Sequence, residues 1–178
     1  SNPLTKILKM SITNANNRIV AEGYGVEQKE PVVIEAGPKD AVFIGKSKGS
    51  AAQTVVFQIT GKCKTLTVMG CETVAVVCDD VIASIDIVRC KKIQFQSNGL
   101  VPTLNIDTSE RVTCFLNESK VEAAQIVTAK TDSVNINILK DAEDAESPEV
   151  ALPEQIVHVW DAAAQKMVSK VKGLGEGE

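Results

Sequence analysis

The sequence is poor in the residues that most enzymes use for catalysis or metal binding. It has one His, one Trp and one Tyr in 178 residues, and aromatic residues make up only 3% of the chain. A single His leaves almost no material for a catalytic triad or a His-rich metal site. Neither a GxxxxGK[ST] motif nor a strand-linked GxGxxG motif for phosphate binding occurs. We therefore expect a protein that is not an enzyme and that holds neither a metal nor a cofactor.

Long apolar runs and an excess of positive charge are also missing. No apolar run approaches the roughly 18 residues of a membrane-spanning helix. The net charge of −4 disfavours nucleic acid or an anionic membrane as the main partner. The five cysteines form no CxxC pair, which is typical of reduced thiols and not of a disulfide framework or a zinc site. With no recognisable signal peptide, we expect a cytoplasmic domain that has been excised from a longer protein.

The dominant feature of the chain is a repeat between residues 51 and 140. Two sets of aliphatic positions recur every 19 residues: Val55, Val74, Ile93 and Val112 in the first set, and Leu66, Ile85 and Leu104 in the second. Each member of the second set precedes a member of the first by 8 residues. The step from Val112 to Val134 takes 22 residues, which indicates a three-residue insertion within residues 117–124.

Each repeated position begins a short run in which apolar residues alternate with polar ones. Such alternation, rich in β-branched residues, predicts β-strands. An interval of 19 residues leaves no room for a helix between strands, so consecutive units should stack in parallel as a β-helix. The alternative is a β-sandwich with evenly spaced hairpins, but Asn98-Gly99 is the only Asn-Gly turn signal. We favour the all-β solenoid.

Small side chains recur at one predicted corner of the coils. Cys71, Cys90, Ser109 and Thr131 lie three residues before Val74, Ile93, Val112 and Val134, respectively. Stacked coils would place Cys71 and Cys90 about 4.8 Å apart, which is within the Cα range of disulfides. We expect two stacked, reduced thiols as the commoner arrangement.

We interpret residues 1–172 as one domain. Residues 1–50 do not follow the interval and are predicted to be irregular entry strands that cap the first coil. The regular coils occupy residues 51–140, and an acidic linker follows at 141–155. Residues 173–178 form a Gly- and Glu-rich flexible tail.

Residues 156–172 contain the only Trp and the only His, after the linker. Their apolar residues alternate as in a hairpin, but they also fall on one side of a helix. The sequence leaves these two structures open. Either one would be an apolar element suited to docking on a second copy of the chain.

Two surfaces stand out on the predicted coils. Val77, Gln96 and Phe115 share an outward face, which is either a partner surface or is covered by the N-terminal strands. Asp79 and Asp80 place two carboxylates at one corner. Paired acids can bind metal or move protons, but a solvated turn is the commoner meaning.

Several ordered stretches resemble the C-terminal domain of the cyclase-associated proteins. They are residues 56–62, 77–81, 100–106 and 152–155, the last followed by Trp160, and the resemblance extends over residues 18–171. It implies a right-handed parallel β-helix whose C-terminal β-hairpin is exchanged in a homodimer. The hairpin residues assigned to that interface are Val157, Val159, Trp160, Met167, Val168 and Val171.

The resemblance also implies binding of monomeric actin in the cytoplasmic actin cytoskeleton. Family members bind ADP-actin and speed its exchange of ADP for ATP, which recycles monomers released by cofilin. Carried over by position, the contacts are Lys62, Asp79, Asp80 and Gln96. The tail at 172–178 lacks the family's usual Ile-Ala-Gly ending, which leaves full exchange activity open.

Two other functions compete with this interpretation. Tubulin cofactor C shares the β-helix and activates GTP hydrolysis through the arginine of a Gln-x-Arg motif. None of Arg18, Arg89 and Arg111 lies two residues after a Gln. The second alternative is a purely structural dimerisation module that binds no actin.

Overall fold

The computed structural model describes residues 10–143 and 145–173. Within them the chain forms sixteen β-strands and one four-residue helix. In chain order the elements are β1 (Ser11–Ala15), β2 (Arg18–Glu22), β3 (Val32–Glu35), β4 (Ala41–Gly45), β5 (Val55–Thr60), β6 (Cys63–Met69), β7 (Glu72–Cys78), β8 (Val81–Val88), β9 (Lys91–Ser97), β10 (Thr103–Asp107), β11 (Glu110–Asn117), α1 (Glu118–Val121), β12 (Gln125–Ala129), β13 (Asp132–Leu139), β14 (Glu149–Ala151), β15 (Ile156–Asp161) and β16 (Lys166–Val171). The predicted flexible tail lies outside the described residues except for Gly173.

Two seven-stranded sheets form a solenoid of about six coils. The strand orders are β1-β2-β4-β6-β8-β10-β12 in the first sheet and β14-β13-β11-β9-β7-β5-β3 in the second. From β2 to β13, successive strands along the chain lie alternately in the two sheets, and strands of neighbouring coils pair in parallel. The predicted parallel β-helix is confirmed, and parallel pairing excludes the hairpin-connected sandwich.

The strand register follows the 19-residue repeat. In the second sheet Val74 pairs with both Val55 and Ile93, and in the first sheet Ile85 pairs with Leu66 and Leu104. The predicted insertion is also present, because α1 lies within residues 117–124. The Asn117 side chain caps this short helix by accepting a hydrogen bond from the backbone N–H of Ser119 at 2.9 Å.

The N-terminal strands extend the same two sheets with longer intervals. Ile19 pairs with Val42, Val42 pairs with Leu66, and Val32 pairs with Phe57. These pairs are 23, 24 and 25 residues apart in sequence. The strands β2 to β4 therefore lie inside the solenoid, with extra residues in their turns.

An antiparallel strand covers one edge at each end of the solenoid. The strand β1 pairs with β2 at the N-terminal end, and β14 pairs with β13 at the C-terminal end. β14 lies within residues 141–155, which the sequence analysis interprets as a linker. Short antiparallel strands of this kind protect a sheet edge from pairing with other chains.

The core lies between the two sheets and is filled by alternate residues of each strand. Phe57 and Phe95 are its largest side chains, and neither is exposed to solvent. Ile85 and Leu104, members of the repeated set, are also fully buried. Each such aliphatic side chain contributes about 1.5–3 kcal/mol by its burial.

Candidate functional site

The structure places Lys62, Asp79 and Asp80 at one corner of the solenoid. Lys62 lies in the turn between β5 and β6, and the two aspartates form the turn between β7 and β8. The backbone N–H of Gly61 donates to Oδ2 of Asp79 at 3.2 Å, which ties these two turns together. We call this edge, formed by residues 61–62, 79–80 and 98–102, the acidic corner.

The second aspartate joins its turn to the next coil. Oδ1 of Asp80 accepts a hydrogen bond from the backbone N–H of Leu100 at 2.8 Å. A Cβ atom added to Gly99 would lie 2.1 Å from that same oxygen, so any larger residue would have to displace the Asp80 carboxylate from this hydrogen bond. The two neighbouring carboxylates thus bind backbone groups of different coils. Each of them has its other oxygen free of hydrogen bonds with the described residues.

The paired carboxylates do not make a metal site with their surroundings. Among residues 10–143 and 145–173, no group of three or more His, Cys, Asp and Glu side chains is arranged to hold a metal ion. Lys62 is exposed and forms no ion pair with the residues that the structure describes. The acidic corner therefore presents the ammonium group of Lys62, which is unpaired among the described residues, beside two carboxylates that are already held in place by hydrogen bonds.

Gln96 lies on the outer face of the second sheet, close to the acidic corner. It pairs in register with Val77 on one side and Phe115 on the other. These side chains line a shallow cleft of about 80 Å³, and the amide of Gln96 donates to Oδ1 of Asn98 at 2.9 Å. The strands of residues 11–45 extend the sheets at their edges and do not cover this face.

Residues 156–171 form a hairpin, which decides between the hairpin and the helix that the sequence leaves open. The strands β15 and β16 pair antiparallel and make a separate two-stranded sheet. Trp160 pairs with Met167 and is 54% exposed, and Val159 pairs with Val168 and is 56% exposed. Among the residues that the structure describes, no layer covers these apolar side chains.

Both faces of the hairpin carry apolar residues. Alternation along the strands puts Trp160, Met167 and Val171 on one face and Val157, Val159 and Val168 on the other. The sequence analysis missed Ile156, which pairs with Val171 and is 58% exposed. The sequence could have revealed Ile156, because it alternates with His158 and Trp160 on the same face of one strand.

The opposite corner carries ladders of charged residues that the sequence analysis also missed. Lys48 forms an ion pair with Glu72 at 3.3 Å, and Lys91 forms one with Glu110 at 2.8 Å. The hydrogen bond from Lys91, reinforced by its charge, lowers the pKa of Glu110, and the same contact raises the pKa of Lys91. Extending the 19-residue interval to the polar positions Glu72, Lys91 and Glu110 would have revealed this ladder.

Comparison with known proteins identifies the family. Residues 9–173 match the profile described as "Adenylate cyclase associated (CAP) C terminal". Cyclase-associated protein 1 of Arabidopsis thaliana is 34% identical over 76% of this chain and 27% of its own length. Adenylyl cyclase-associated protein of Hydra viridissima is 30% identical over 80% of this chain and 28% of its own length. The chain thus spans less than a third of either relative.

A solved structure has the same fold. The crystal structure of cyclase-associated protein from Cryptosporidium parvum superposes with a TM-score of 0.83 and covers 92% of this chain and 96% of that chain, at 21% sequence identity. No helix among the described residues is long and apolar enough to cross a membrane. Because the family profile matches residues 9–173, the chain belongs to the family of adenylyl cyclase-associated protein C-terminal domains.

Proposed function

We propose that this chain binds monomeric actin, prefers the ADP-bound form and promotes exchange of ADP for ATP. The observation that carries the proposal is the family match over residues 9–173. We further propose that it acts in the cytoplasm, on monomers released from filaments by cofilin. Nucleotide exchange on another protein requires no covalent chemistry from this chain.

The proposed mechanism is differential binding. A protein that binds actin more tightly when its nucleotide cleft is loosened shifts the actin population toward that arrangement. By linkage, the bound domain weakens nucleotide binding to actin by the same factor as bound nucleotide weakens binding of the domain. ADP leaves faster, and ATP from solution replaces it.

We place the actin contacts at the acidic corner and on the neighbouring sheet face. Hydrogen bonds from Gly61 and Leu100 hold Asp79 and Asp80 in fixed positions, so little side-chain entropy is lost when a partner binds. Exposed Lys62 supplies a free charge, and the cleft beside Gln96 supplies apolar area. Rigid polar groups next to a small apolar cleft are suited to recognition of a protein surface.

The test is the rate at which fluorescent ATP loads onto ADP-actin monomers with and without this chain. Acceleration supports the proposal. Binding without acceleration would reduce it to an actin-docking domain. No binding, measured by calorimetry, would contradict it and favour the structural dimerisation module.

A matched pair of charge reversals tests the surface. Lys62→Glu at the acidic corner should weaken actin binding, because it reverses the free charge at the proposed contact. Lys130→Glu makes the same charge change at an exposed position on the opposite corner and should leave binding unchanged. Equal losses in both variants would mean that net charge, and not this corner, determines binding.

We also propose that the hairpin makes the homodimer. A two-stranded hairpin alone is only marginally stable in water, and this one exposes apolar residues on both faces. Exchange between two copies would cover both faces at once, with Val157, Val159 and Val168 on one side and Trp160, Met167 and Val171 on the other. Ile156 would extend the second group.

Light scattering on a chain that ends at Gln155 tests the dimer. We expect the truncated chain to be a monomer and to remain folded, because the core lies within the solenoid. In the full chain, Val159→Asp should give a monomer as well. Val33→Asp is the control, since Val33 is 58% exposed, close to the 56% of Val159, but lies on β3 of the solenoid. A truncated chain that still forms dimers would contradict hairpin exchange.

A further inference from the structure

The corner opposite the acidic corner contains a stack of small side chains from five consecutive coils. Its members are Ser47, Cys71, Cys90, Ser109 and Thr131. Oγ of Ser109 accepts a hydrogen bond from the backbone N–H of Cys90 at 3.1 Å, and Oγ1 of Thr131 accepts one from Ser109 at 3.3 Å. The predicted stacking of small residues at this corner is confirmed.

Two thiols are direct neighbours in this stack. The backbone N–H of Lys91 donates to the carbonyl of Cys71 at 3.0 Å, and Glu72 pairs in register with Lys91. Cys71 and Cys90 are therefore one strand spacing apart, about 4.8 Å, and disulfides span Cα distances of about 4.4–6.8 Å. Both sulfurs make the same contact, with the carbonyl oxygen two residues earlier.

Cys71 and Cys90 are only 2% and 3% exposed, and they lie at the floor of a groove with a cationic rim, so an oxidant must enter this groove to reach them. The groove has a volume of about 570 Å³, and Lys46 and Arg89 line it together with Cys71 and Cys90. The ion pairs Lys48–Glu72 and Lys91–Glu110 also line it, so the two carboxylates there are already neutralised by lysines. Lys46 and Arg89 form no ion pair with the residues that the structure describes. Between them lies Gly70, at which an added Cβ would meet nothing within 4 Å. Glycine at this position leaves space unfilled beside the buried thiols.

We propose that Cys71 and Cys90 are a redox-modifiable thiol pair, which an anionic disulfide such as oxidised glutathione, held at the cationic rim, converts into an intrachain disulfide. Burial raises the pKa of the other thiols, to about 11 for Cys63 and about 12 for Cys78 and Cys114. By contrast, the hydrogen bond with Cys71 lowers the pKa of Cys90, and that contact together with burial raises the pKa of Cys71. Cys90 also lies between Arg89 and Lys91, whereas Cys71 is followed by Glu72. Neighbouring cations stabilise a thiolate, so Cys90 is the first nucleophile and Cys71 the resolving thiol.

The reaction proceeds in two exchange steps. The Cys90 thiolate attacks one sulfur of oxidised glutathione, forms a mixed disulfide and releases one glutathione thiolate. Cys71 then loses its proton and attacks the Cys90 sulfur, which forms the protein disulfide and releases the second glutathione thiolate. The two released thiolates take up the two protons lost by the cysteines. The protein dithiol is oxidised, and glutathione disulfide is reduced to two thiols.

Intact mass spectrometry of the folded full chain after treatment with oxidised glutathione tests the proposal. We expect a loss of about 2 Da and a peptide cross-link between Cys71 and Cys90, with the other three cysteines still open to alkylation after unfolding. A cross-link between other cysteines, a stable glutathione adduct on the unmutated chain, or no change in mass would overturn the proposal.

Serine variants assign the two roles. Ser47 and Ser109 occupy the same position in the stack, so Cys71→Ser and Cys90→Ser should both fold. Cys71→Ser should keep one glutathione on Cys90, because no resolving thiol remains. Cys90→Ser should form neither an adduct nor a disulfide. Equal adducts on both variants would overturn the assigned order of attack.

The rim is tested by comparing an anionic with a neutral disulfide. Lys46→Gln and Arg89→Gln should slow oxidation by glutathione disulfide severalfold and leave oxidation by hydroxyethyl disulfide unchanged. If both reagents slow equally, or neither does, the cationic rim plays no part in guiding the oxidant. This inference does not rest on actin binding, and its tests use no actin.

Discussion

The solenoid and the C-terminal hairpin are built from similar sequence patterns but have opposite environments. In β8 the residues Ile85 and Ile87 alternate with Asp86 and are fully buried. In β15 the residues Val157 and Val159 alternate with His158, yet Val159 is 56% exposed. Both stretches form strands. Only the solenoid strands have a second sheet packed against them.

The comparison shows that the sequence pattern of a strand and the elements packed against that strand determine different things. Alternation fixes which side chains share a face, whereas burial requires another layer across that face. The coils supply that layer within the chain, because each coil contributes a strand to both sheets. In the described part of the chain the hairpin has no such layer, and in the dimer that we propose a second copy would supply one. Equivalent substitutions should therefore affect folding in the solenoid and association in the hairpin.

The largest effect should come from a charge in the solenoid core. Ile85→Asp places a carboxylate without a partner among stacked aliphatic side chains, where its desolvation is not compensated. We expect a loss of more than about 4 kcal/mol in the free energy of unfolding, with loss of the cooperative transition in thermal denaturation followed by circular dichroism.

The same change in the hairpin is the control. Val159→Asp should leave the thermal transition of the monomer unchanged, since the side chain is already exposed. If Val159→Asp unfolded the chain, or if Ile85→Asp stayed folded, the division between the two regions would be wrong.

Removing a large aromatic side chain should have the next largest effect. Phe95 is fully buried, so Phe95→Ala should cost about 3–5 kcal/mol through lost burial and a residual cavity. Trp160→Ala removes a larger but half-exposed side chain and should change monomer stability by about 0.5 kcal/mol or less. Urea denaturation of both variants, at concentrations where the protein is monomeric, measures the difference. Comparable losses would show that the hairpin packs on the solenoid of its own chain.

The regular coils were predictable because they obey one interval. The spacing of Val55, Val74 and Ile93 fixes a register that the strand pairing reproduces residue by residue. The N-terminal coils were not assigned to the solenoid because their turns vary in length, which shifts the interval to between 23 and 25 residues. The strand β14 was not predicted, because its three residues are too few to show alternation and lie in an acidic, Pro-containing stretch.

The candidate site was predictable in position but not in detail. The sequence places Asp79 and Asp80 at a corner, but no pattern shows that their carboxylates bind the backbone N–H groups of Gly61 and Leu100. Such contacts depend on how consecutive turns stack, which a single coil does not encode. The roles of Lys62, Asp79, Asp80 and Gln96 in actin binding stay predictions, as does the hairpin dimer.

A polar substitution gives a smaller test of the same comparison. Ser109 is buried, and its hydroxyl accepts from the N–H of Cys90 and donates to the carbonyl of Asp107. Ser109→Ala leaves the Cys90 N–H without a partner and should cost about 1–3 kcal/mol. Ser169 bonds His158 at 2.7 Å in the exposed hairpin, where water replaces the lost partner. Ser169→Ala should therefore leave urea denaturation nearly unchanged, and an equal loss in both variants would contradict the role of burial.

The smallest effect on stability should come from a charged pair on the exposed surface of the solenoid. The side chains of Lys91 and Glu110 are partly accessible to water, as the hairpin residues are. The hydrogen bond and charge of Lys91 lower the pKa of Glu110 below its ordinary 4.5. A lowered pKa in the folded state stabilises the fold above the ordinary value, and this contribution is lost as pH falls through the lowered value. Glu110→Gln should therefore have a slightly lower melting temperature than the unmutated chain at pH 7, and the difference should vanish well below pH 4.5. It should also shrink at about 1 M salt, which screens exposed pairs. A difference that persisted at low pH and in high salt would mean that Glu110 stabilises the corner by packing and not by its charge.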